Sequence, residues 1–301
     1  MRILCVGEAL VDLVCERPVT SISEAGAFVP RFGGAIAAAA VIAARRGANV
    51  TLAGGVGTDP WGAYLADRLA AEGVDLTWFE RRDDLATPLA FVTVDADGRP
   101  TAARYGEAAA PAAALVALGD RLLEAVDACD AVLMSSNALV GEAERALALA
   151  VHERALRDGK PVIVDAGLRF DRWRSRSAAV EVLGPLVERA FLFQANADEA
   201  QALTGERDPD AAARSLVAAG ALHVLITRGA DGALLRGGGL DRDVRGVPAR
   251  PVDTTGAGAA VTGVLLAALA RTGFYPASIA ALLPDAMAEA ARATERYGAL
   301  G

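Results

Sequence analysis

The chain has 301 residues, 53% hydrophobic and 23% charged, with 30 Lys and Arg against 38 Asp and Glu for a net charge of -8. That mix excludes disordered, collagen-like and low-complexity chains, and the acidic balance argues against nucleic acid as the main partner. A chain of this length buries roughly 75% of its unfolded surface, so one large α/β domain with an appendage, or two domains, is expected.

Taken in chain order, strand and helix signals alternate. Ile3 to Val6 reads as a short buried strand, Ala35 to Arg46 as a helix closed by Gly47, and Asn49 to Ala53 as a strand. Asp59-Pro60 is a helix start, an N-cap residue with Pro at the first helical position, and the helix runs to Glu72. Leu89 to Val94, the turn Asp95 to Gly98 and the return from Thr101 to Tyr105 form a hairpin. Strands follow at Ala131 to Ser135, Val162 to Asp165, Phe191 to Gln194, Val224 to Thr227 and Ala233 to Arg236. Helices are expected over Glu142 to Arg157, Glu199 to Thr204, Pro209 to Ala219, Gly256 to Arg271 and Pro276 to Arg296. This alternation predicts βαβ units, hence an α/β fold with a mostly parallel sheet and helices on both faces. The hairpin and the stretch from Val14 to Phe32 predict a small β lid, about 14–32 and 86–107, inserted in a single domain over 1–301.

Cys5, Cys15 and Cys129 have no metal-ligand spacing and cannot all pair, which points to a reducing compartment. Glu8 and Asp12 interrupt any apolar signal-peptide core. The longest apolar run, Ala259 to Ala270, is shorter than the roughly 20 residues a membrane span needs. A cytoplasmic protein with no membrane partner is expected.

The sharpest local feature is Asp253-Thr254-Thr255-Gly256-Ala257-Gly258, leading directly into the apolar run from Ala259 to Leu266. Glycines let backbone N–H groups converge, and the helix start adds partial positive charge, so the segment is an anion cradle. The alternative for the glycines alone is an ordinary loop before a buried helix.

With its surroundings, this segment resembles the C-terminal signature of the ribokinase-like (pfkB) carbohydrate kinase family. Further motifs match in order: Gly7 to Asp12, Phe32-Gly33-Gly34-Ala35, Gly54 to Gly62, Asp165 to Arg169, Asn196-Ala197-Asp198-Glu199 and Thr227 to Gly232. The resemblance covers essentially the whole chain. It implies a ribokinase-like fold and ATP-dependent phosphorylation of a sugar or sugar-acid hydroxyl. Asp12, Gly33, Gly34 and Arg169 would bind the sugar, and Gly256, Ala257 and Gly258 would hold the developing phosphoryl charge. Asn196 and Glu199 would order magnesium through water, with Thr227, Gly229 and Gly232 on the nucleotide side. The stretches Gly7 to Asp12 and Asp165 to Arg169 lean towards fructokinase-like and 2-keto-3-deoxygluconate-kinase-like members. The resemblance also implies a homodimer through the lids.

The chain departs from the family pattern at polar positions. The signature continues Gly-Ala-Gly-Asp, its aspartate taking the hydroxyl proton, and the fourth position here is Ala259. Ala38 stands where a sugar-binding asparagine follows the Gly-Gly motif, Gly167 replaces the asparagine of Asp-x-Asn-x-Arg, and Met287 aligns with an asparagine beside the adenine. A positioned base is worth roughly 10²–10⁴-fold, so a slow kinase is expected, with a non-catalytic nucleotide- or sugar-binding pseudokinase as the alternative. A third alternative is an active enzyme on another substrate, its base supplied by that substrate or by another residue.

His152 and His223 lack partners at ligand spacing and are expected to have structural or surface roles. Glu8 is equally a site residue or a strand-end residue. Asp253 could act as base with a remodelled turn. Arg81, Arg82, Arg172, Arg174 and Arg176 read as solvated charge, and Trp61 and Trp173 as packing residues.

Overall fold

The computed structural model describes residues 1–103 and 113–301. In chain order its elements are β1 (Arg2–Val6), β2 (Leu10–Cys15), β3 (Phe28–Gly33), α1 (Ala35–Arg45), β4 (Asn49–Gly57), α2 (Pro60–Ala71), β5 (Phe79–Arg82), β6 (Leu89–Val94), β7 (Pro100–Ala103), α3 (Ala113–Leu118), α4 (Arg121–Asp127), β8 (Ala131–Ser135), α5 (Glu142–Arg157), β9 (Val162–Asp165), α6 (Arg176–Val187), β10 (Leu192–Asn196), α7 (Ala197–Thr204), α8 (Pro209–Ala218), β11 (Val224–Thr227), β12 (Ala233–Gly237), β13 (Leu240–Val244), α9 (Ala257–Arg271) and α10 (Ala277–Thr294).

Nine strands form one sheet in the order β13-β12-β11-β10-β9-β8-β1-β4-β5. The seven strands from β11 to β5 run parallel, and β12 and β13 close one edge antiparallel. Parallel strands are covered on both faces and so read as unbroken apolar runs. Successive residues of a strand point to opposite faces, and the two cores follow that alternation. Ile3 and Cys5 of β1, with Ala131 and Leu133 of β8, join the core built on α1, α9 and α10. Leu4, Val6, Val132 and Met134 join the core on the other face. β1 pairs with β4 on one side and β8 on the other, so the chain reverses its direction across the sheet there. Open α/β sheets bind ligands outside the carboxyl ends of the strands at such a point.

A second sheet, β3-β2-β6-β7, has its own small core of Leu10, Val14, Cys15, Val19, Ala90, Val92 and Val94. β2 and β6 pair in parallel, the outer pairs antiparallel. This sheet takes up the chain at Leu10 rather than Val14, because β2 leaves β1 after a three-residue connection. The expected hairpin forms from β6 and β7; its end at Tyr105 and the stretch to 107 lie outside the described residues.

Local boundaries follow capping chemistry. Asp59 accepts a hydrogen bond from Gly62 N at 2.9 Å, with Pro60 opening α2. α7 starts at Ala197, two residues before the expected Glu199, because Asn196 caps it. β4 continues past its expected end at Ala53 through Gly54, Gly55 and Gly57; a Cβ on Gly54 would collide with Gly7 O, so Gly54 serves close strand approach. β5, α3, α4, α6 and β13 had no sequence expectation. α6 carries Gly184-Pro185, and β13 is a largely exposed polar edge strand; neither shows a simple apolar period. All three cysteines are free and buried. Burial pushes the Cys129 thiol up to about 11 and the Cys5 thiol higher still, so both stay protonated.

Candidate active site

A cleft of about 700 Å³ lies along the carboxyl ends of the central strands. Glu8 follows β1, Asn137 follows β8, Asp165 ends β9, Asn196 ends β10 and Thr227 ends β11, and all five line it. Leu10 and Asp12 of β2, Val92 of β6, and Pro100, Thr101 and Ala102 of β7 bring the small sheet to the same space.

The Gly-rich turn enters the cleft at the start of α9. Asp253, fully buried, anchors it by accepting from Thr255 N and Gly298 N, each at 2.8 Å. Both oxygens are thereby engaged away from the cleft, and the turn is not remodelled to make Asp253 a base. Gly256 caps α9 in the left-handed region (φ 84°), and a Cβ there would sit 2.5 Å from Ala299 Cα. Gly258 differs: among the described residues a Cβ built on it meets Gln194 Nε2 alone, at 4.0 Å. Its open face looks into the cleft, where the first-turn N–H groups of a helix lack intrahelical acceptors. Gln194 Nε2 donates to Gly258 O at 3.1 Å and steadies the turn.

Carboxylates surround this cradle at different depths. Glu8 Oε1 accepts from Ala35 N at 3.1 Å and from Asn137 Nδ2 at 3.2 Å, tying β1 to the start of α1. Asn137 Oδ1 in turn accepts from Arg172 Nη1 at 2.8 Å. Asp165 Oδ2 meets Thr262 Oγ1 of α9 at 3.0 Å. Burial raises Asp165 to about 6; the Thr262 hydroxyl opposes that shift, and the charge of Glu8 adds to it. Glu199 is held on both sides: Oε1 accepts from Leu168 N at 2.7 Å and Oε2 from Asn196 N at 2.8 Å, while Asn196 Oδ1 accepts from Glu199 N at 2.9 Å. Asn-x-x-Glu is therefore a complete capping box. Burial raises Glu199 to about 7, against the pull of those backbone donors and with the charge of Asp165 adding.

Of the residues expected at the site, Asp12, Gly34, Gly167, Arg169, Asn196, Glu199, Thr227, Gly229, Gly256, Ala257, Gly258 and Ala259 line the cleft together. Gly33 backs Asp12, a Cβ there falling 2.5 Å from Asp12 Oδ2. Ala38 and Met287 are core residues on the α1, α9 and α10 side. Gly232 makes the turn before β12, where a Cβ would collide with Val244 O. None of these four lines the cleft. Arg172, expected in solvent, lines it because Asn137 draws its guanidinium inward. Arg174 and Arg176 are exposed as expected. Asn137, Gln194 and Thr262 had no sequence signal, being single polar residues in apolar or loop context. His152 and His223 are buried away from the cleft, and His223 faces Phe191 edge-on.

The cleft and the turn at the strand ends are features of an α/β protein that binds a small molecule carrying an anionic group. The family model "pfkB family carbohydrate kinase" matches residues 1–300, and the chain belongs to that family. A fructokinase of Klebsiella pneumoniae is 32% identical over 308 residues, covering 99% of this chain and 95% of that protein. Among solved structures, the aminoimidazole riboside kinase of Salmonella enterica complexed with aminoimidazole riboside and an ATP analog superposes with a TM-score of 0.84. It is 26% identical, with 100% of this chain and 95% of that one covered. The fructokinase of Xylella fastidiosa with bound ATP gives 0.81 at 26% identity, covering 99% and 93%.

The residues present fit a phosphate group: Gly258 leaves the space a side chain would fill, at a helix start. For magnesium the fit is indirect. Both Glu199 oxygens already accept from backbone N–H groups, and among the described residues no group of three His, Cys, Asp or Glu could hold a metal ion. An ion here would be held through water and nucleotide phosphates. No helix among the described residues is long and apolar enough to cross a membrane.

Proposed function

We propose that this chain transfers the γ-phosphoryl group of ATP to a hydroxyl of a sugar or sugar acid, more slowly than a chain with a carboxylate at position 259. The observation that carries the reading is the open face of Gly258 at the start of α9, beside the carboxyl ends of the central strands. Phosphoryl transfer relies mostly on positioning and charge stabilisation, which backbone N–H groups of Gly256, Ala257 and Gly258 can supply without a side chain. Asp12 of the small sheet, which acts as a lid, and Arg169 after β9 bind the sugar. Asn196 and Glu199 order magnesium through water, and Thr227 and Gly229 border the nucleotide. The fructokinase relatives make a ketohexose the first acceptor to test, and the riboside kinase makes a nucleoside the second. The chain works in the cytoplasm as a homodimer through its lids.

Ala259 favours a second reading, a nucleotide-binding pseudokinase, because a methyl group accepts no proton. Thermal unfolding with magnesium-ATP and an ADP-release assay over a sugar panel separate the two. ATP at about ten times Kd adds about 1.4 kcal/mol of stability under either reading. Sugar-dependent ADP release above the ATPase background supports the kinase, and its absence in the presence of that shift supports the pseudokinase. No shift at all sinks both.

A further inference from the structure

We propose that Asp165 takes the proton of the acceptor hydroxyl in place of the carboxylate absent at position 259; this rests on the kinase reading above.

Four observations converge on that side chain. Asp165 lines the same cleft as Gly258 and Ala259. Its Oδ2 is one hydroxyl away from the cradle: Thr262 Oγ1 lies 3.0 Å from Asp165 Oδ2 and 3.1 Å from Gly258 O. Thr262 sits on α9 one turn after Ala259, so α9 itself aims the carboxylate. Gly167 leaves the space before Asp165 open; a Cβ built there would be 3.9 Å from Asp165 Oδ1, 3.8 Å from Ser135 Cβ and 3.7 Å from Asp165 O.

The hydroxyl between them suits both protonation states. A hydroxyl has one proton to donate and lone pairs to accept. With Asp165 ionised, Thr262 donates to Oδ2. With Asp165 protonated, Asp165 donates to Thr262 Oγ1, which turns its proton to Gly258 O. No buried polar group is stranded by the transfer. Asp165 also accepts from the Gly167 backbone N–H, but Glu199 has no rotatable partner, because both its oxygens face N–H donors that cannot turn. In the step, the acceptor oxygen forms a bond to the γ-phosphorus of ATP. The bond from that phosphorus to the bridging β-oxygen breaks, ADP leaves with that electron pair, and the hydroxyl proton passes to Asp165. Glu8 after β1, Glu199 of α7, Asp12 of β2, and Arg169 and Arg172 after β9 are the charged groups that face this region. The raised value of Asp165, about 6, leaves it ionised and basic at neutral pH.

The test is sugar-dependent ADP release, with thermal unfolding, for the natural chain, Asp165→Asn, Ala259→Asp and the double variant. The expected result is a rate that rises with pH through about 6 in the natural chain, and a fall of roughly 10²-fold or more in Asp165→Asn. The double variant recovers the Ala259→Asp rate, which shows the fold and both binding sites intact. Asp165→Asn also unfolds at a higher temperature at pH 8, because a buried charge is removed. An unchanged rate in Asp165→Asn overturns the inference and leaves the kinase reading standing. So does a lower unfolding temperature in Asp165→Asn with the double variant equally impaired, which makes Asp165 a structural residue. Turnover in Ala259→Asp but none in the natural chain overturns it too, in favour of a pseudokinase. No turnover in any form, with no magnesium-ATP shift, overturns the kinase reading together with the inference.

Discussion

Two carboxylates stand at neighbouring strand ends, Asp165 closing β9 and Glu199 one turn past β10, and burial raises both. Their surroundings differ in kind. The Glu199 turn retains every family residue and spends both oxygens on Leu168 N and Asn196 N. Asp165 accepts from the Gly167 backbone N–H and shares its Oδ2 with the rotatable hydroxyl of Thr262. Rigid backbone donors fix a helix start, whereas a hydroxyl partner tolerates a change of proton. The first arrangement fixes a helix start, and the second is the one the proposed proton transfer would use.

The largest expected effect comes from refilling the second region. In the Asp165→Asn background, which lacks the proposed base, Ala259→Asp places a carboxylate at the start of α9 and should raise sugar-dependent ADP release by roughly 10²–10⁴-fold. Ala259 lines the cleft although only 4% exposed. An unchanged rate would mean that acceptor binding, not proton transfer, limits turnover.

The first region is sharpened by pH. Folded Glu199 keeps its proton to about 7, whereas its ordinary value is 4.5. Between those values the folded state binds more protons than the unfolded one, so stability falls as pH rises. The loss is about 3 kcal/mol, complete above the folded value. Asp165, raised from 3.8 to about 6, loses stability in an overlapping but earlier window. Urea unfolding should therefore show a decline ending near pH 7 in the natural chain and near pH 6 in Glu199→Gln. A decline that still runs to pH 7 in the variant would assign it to another group.

The two cradle glycines offer a smaller contrast. Gly256→Ala places a side chain at φ 84° and 2.5 Å from Ala299 Cα. The left-handed conformation alone costs roughly 1–2 kcal/mol, and the contact adds to it. Gly258→Ala meets no such obstacle and gains helix propensity, so its stability should hold or rise while the magnesium-ATP shift shrinks. Equal losses of stability in the two variants would remove the distinction between a structural and a phosphate-facing glycine.

Much of this was legible in the chain itself. Apolar strands ended by polar residues, such as Val162-Ile163-Val164-Asp165, give away buried parallel strands and the ends that carry chemistry. The Gly256 to Gly258 turn shows an anion cradle because backbone geometry is local. What stayed hidden depends on residues distant in sequence. Arg172 reads as one of several surface arginines until Asn137, 35 positions earlier, holds its guanidinium in the cleft. Thr262 reads as a helix-core residue until α9 lies across β9 and brings it to Asp165, 97 positions away. Ala38 and Met287 fail in the opposite sense. Read as site positions from the motif order, they instead pack into the α1, α9 and α10 core.

The smallest expected effect asks whether the Glu199 turn has any function besides capping. Asn196 is exposed and lines the cleft while its Oδ1 caps α7. Asp is as good an N-cap as Asn, so Asn196→Asp should leave urea stability within about 0.5 kcal/mol of the natural chain. The substitution nevertheless puts a negative charge where nucleotide phosphates would approach. Two charges about 4 Å apart in bulk water interact by about 1 kcal/mol, or about fivefold in binding. ATP without magnesium should bind the variant about that much more weakly, and magnesium should cancel the loss by screening or bridging the added carboxylate. Isothermal titration with and without the ion reads both numbers. Equal ATP affinity in the variant under both conditions would confine Asn196 to the helix cap and move the phosphates towards Gly258 and away from α7.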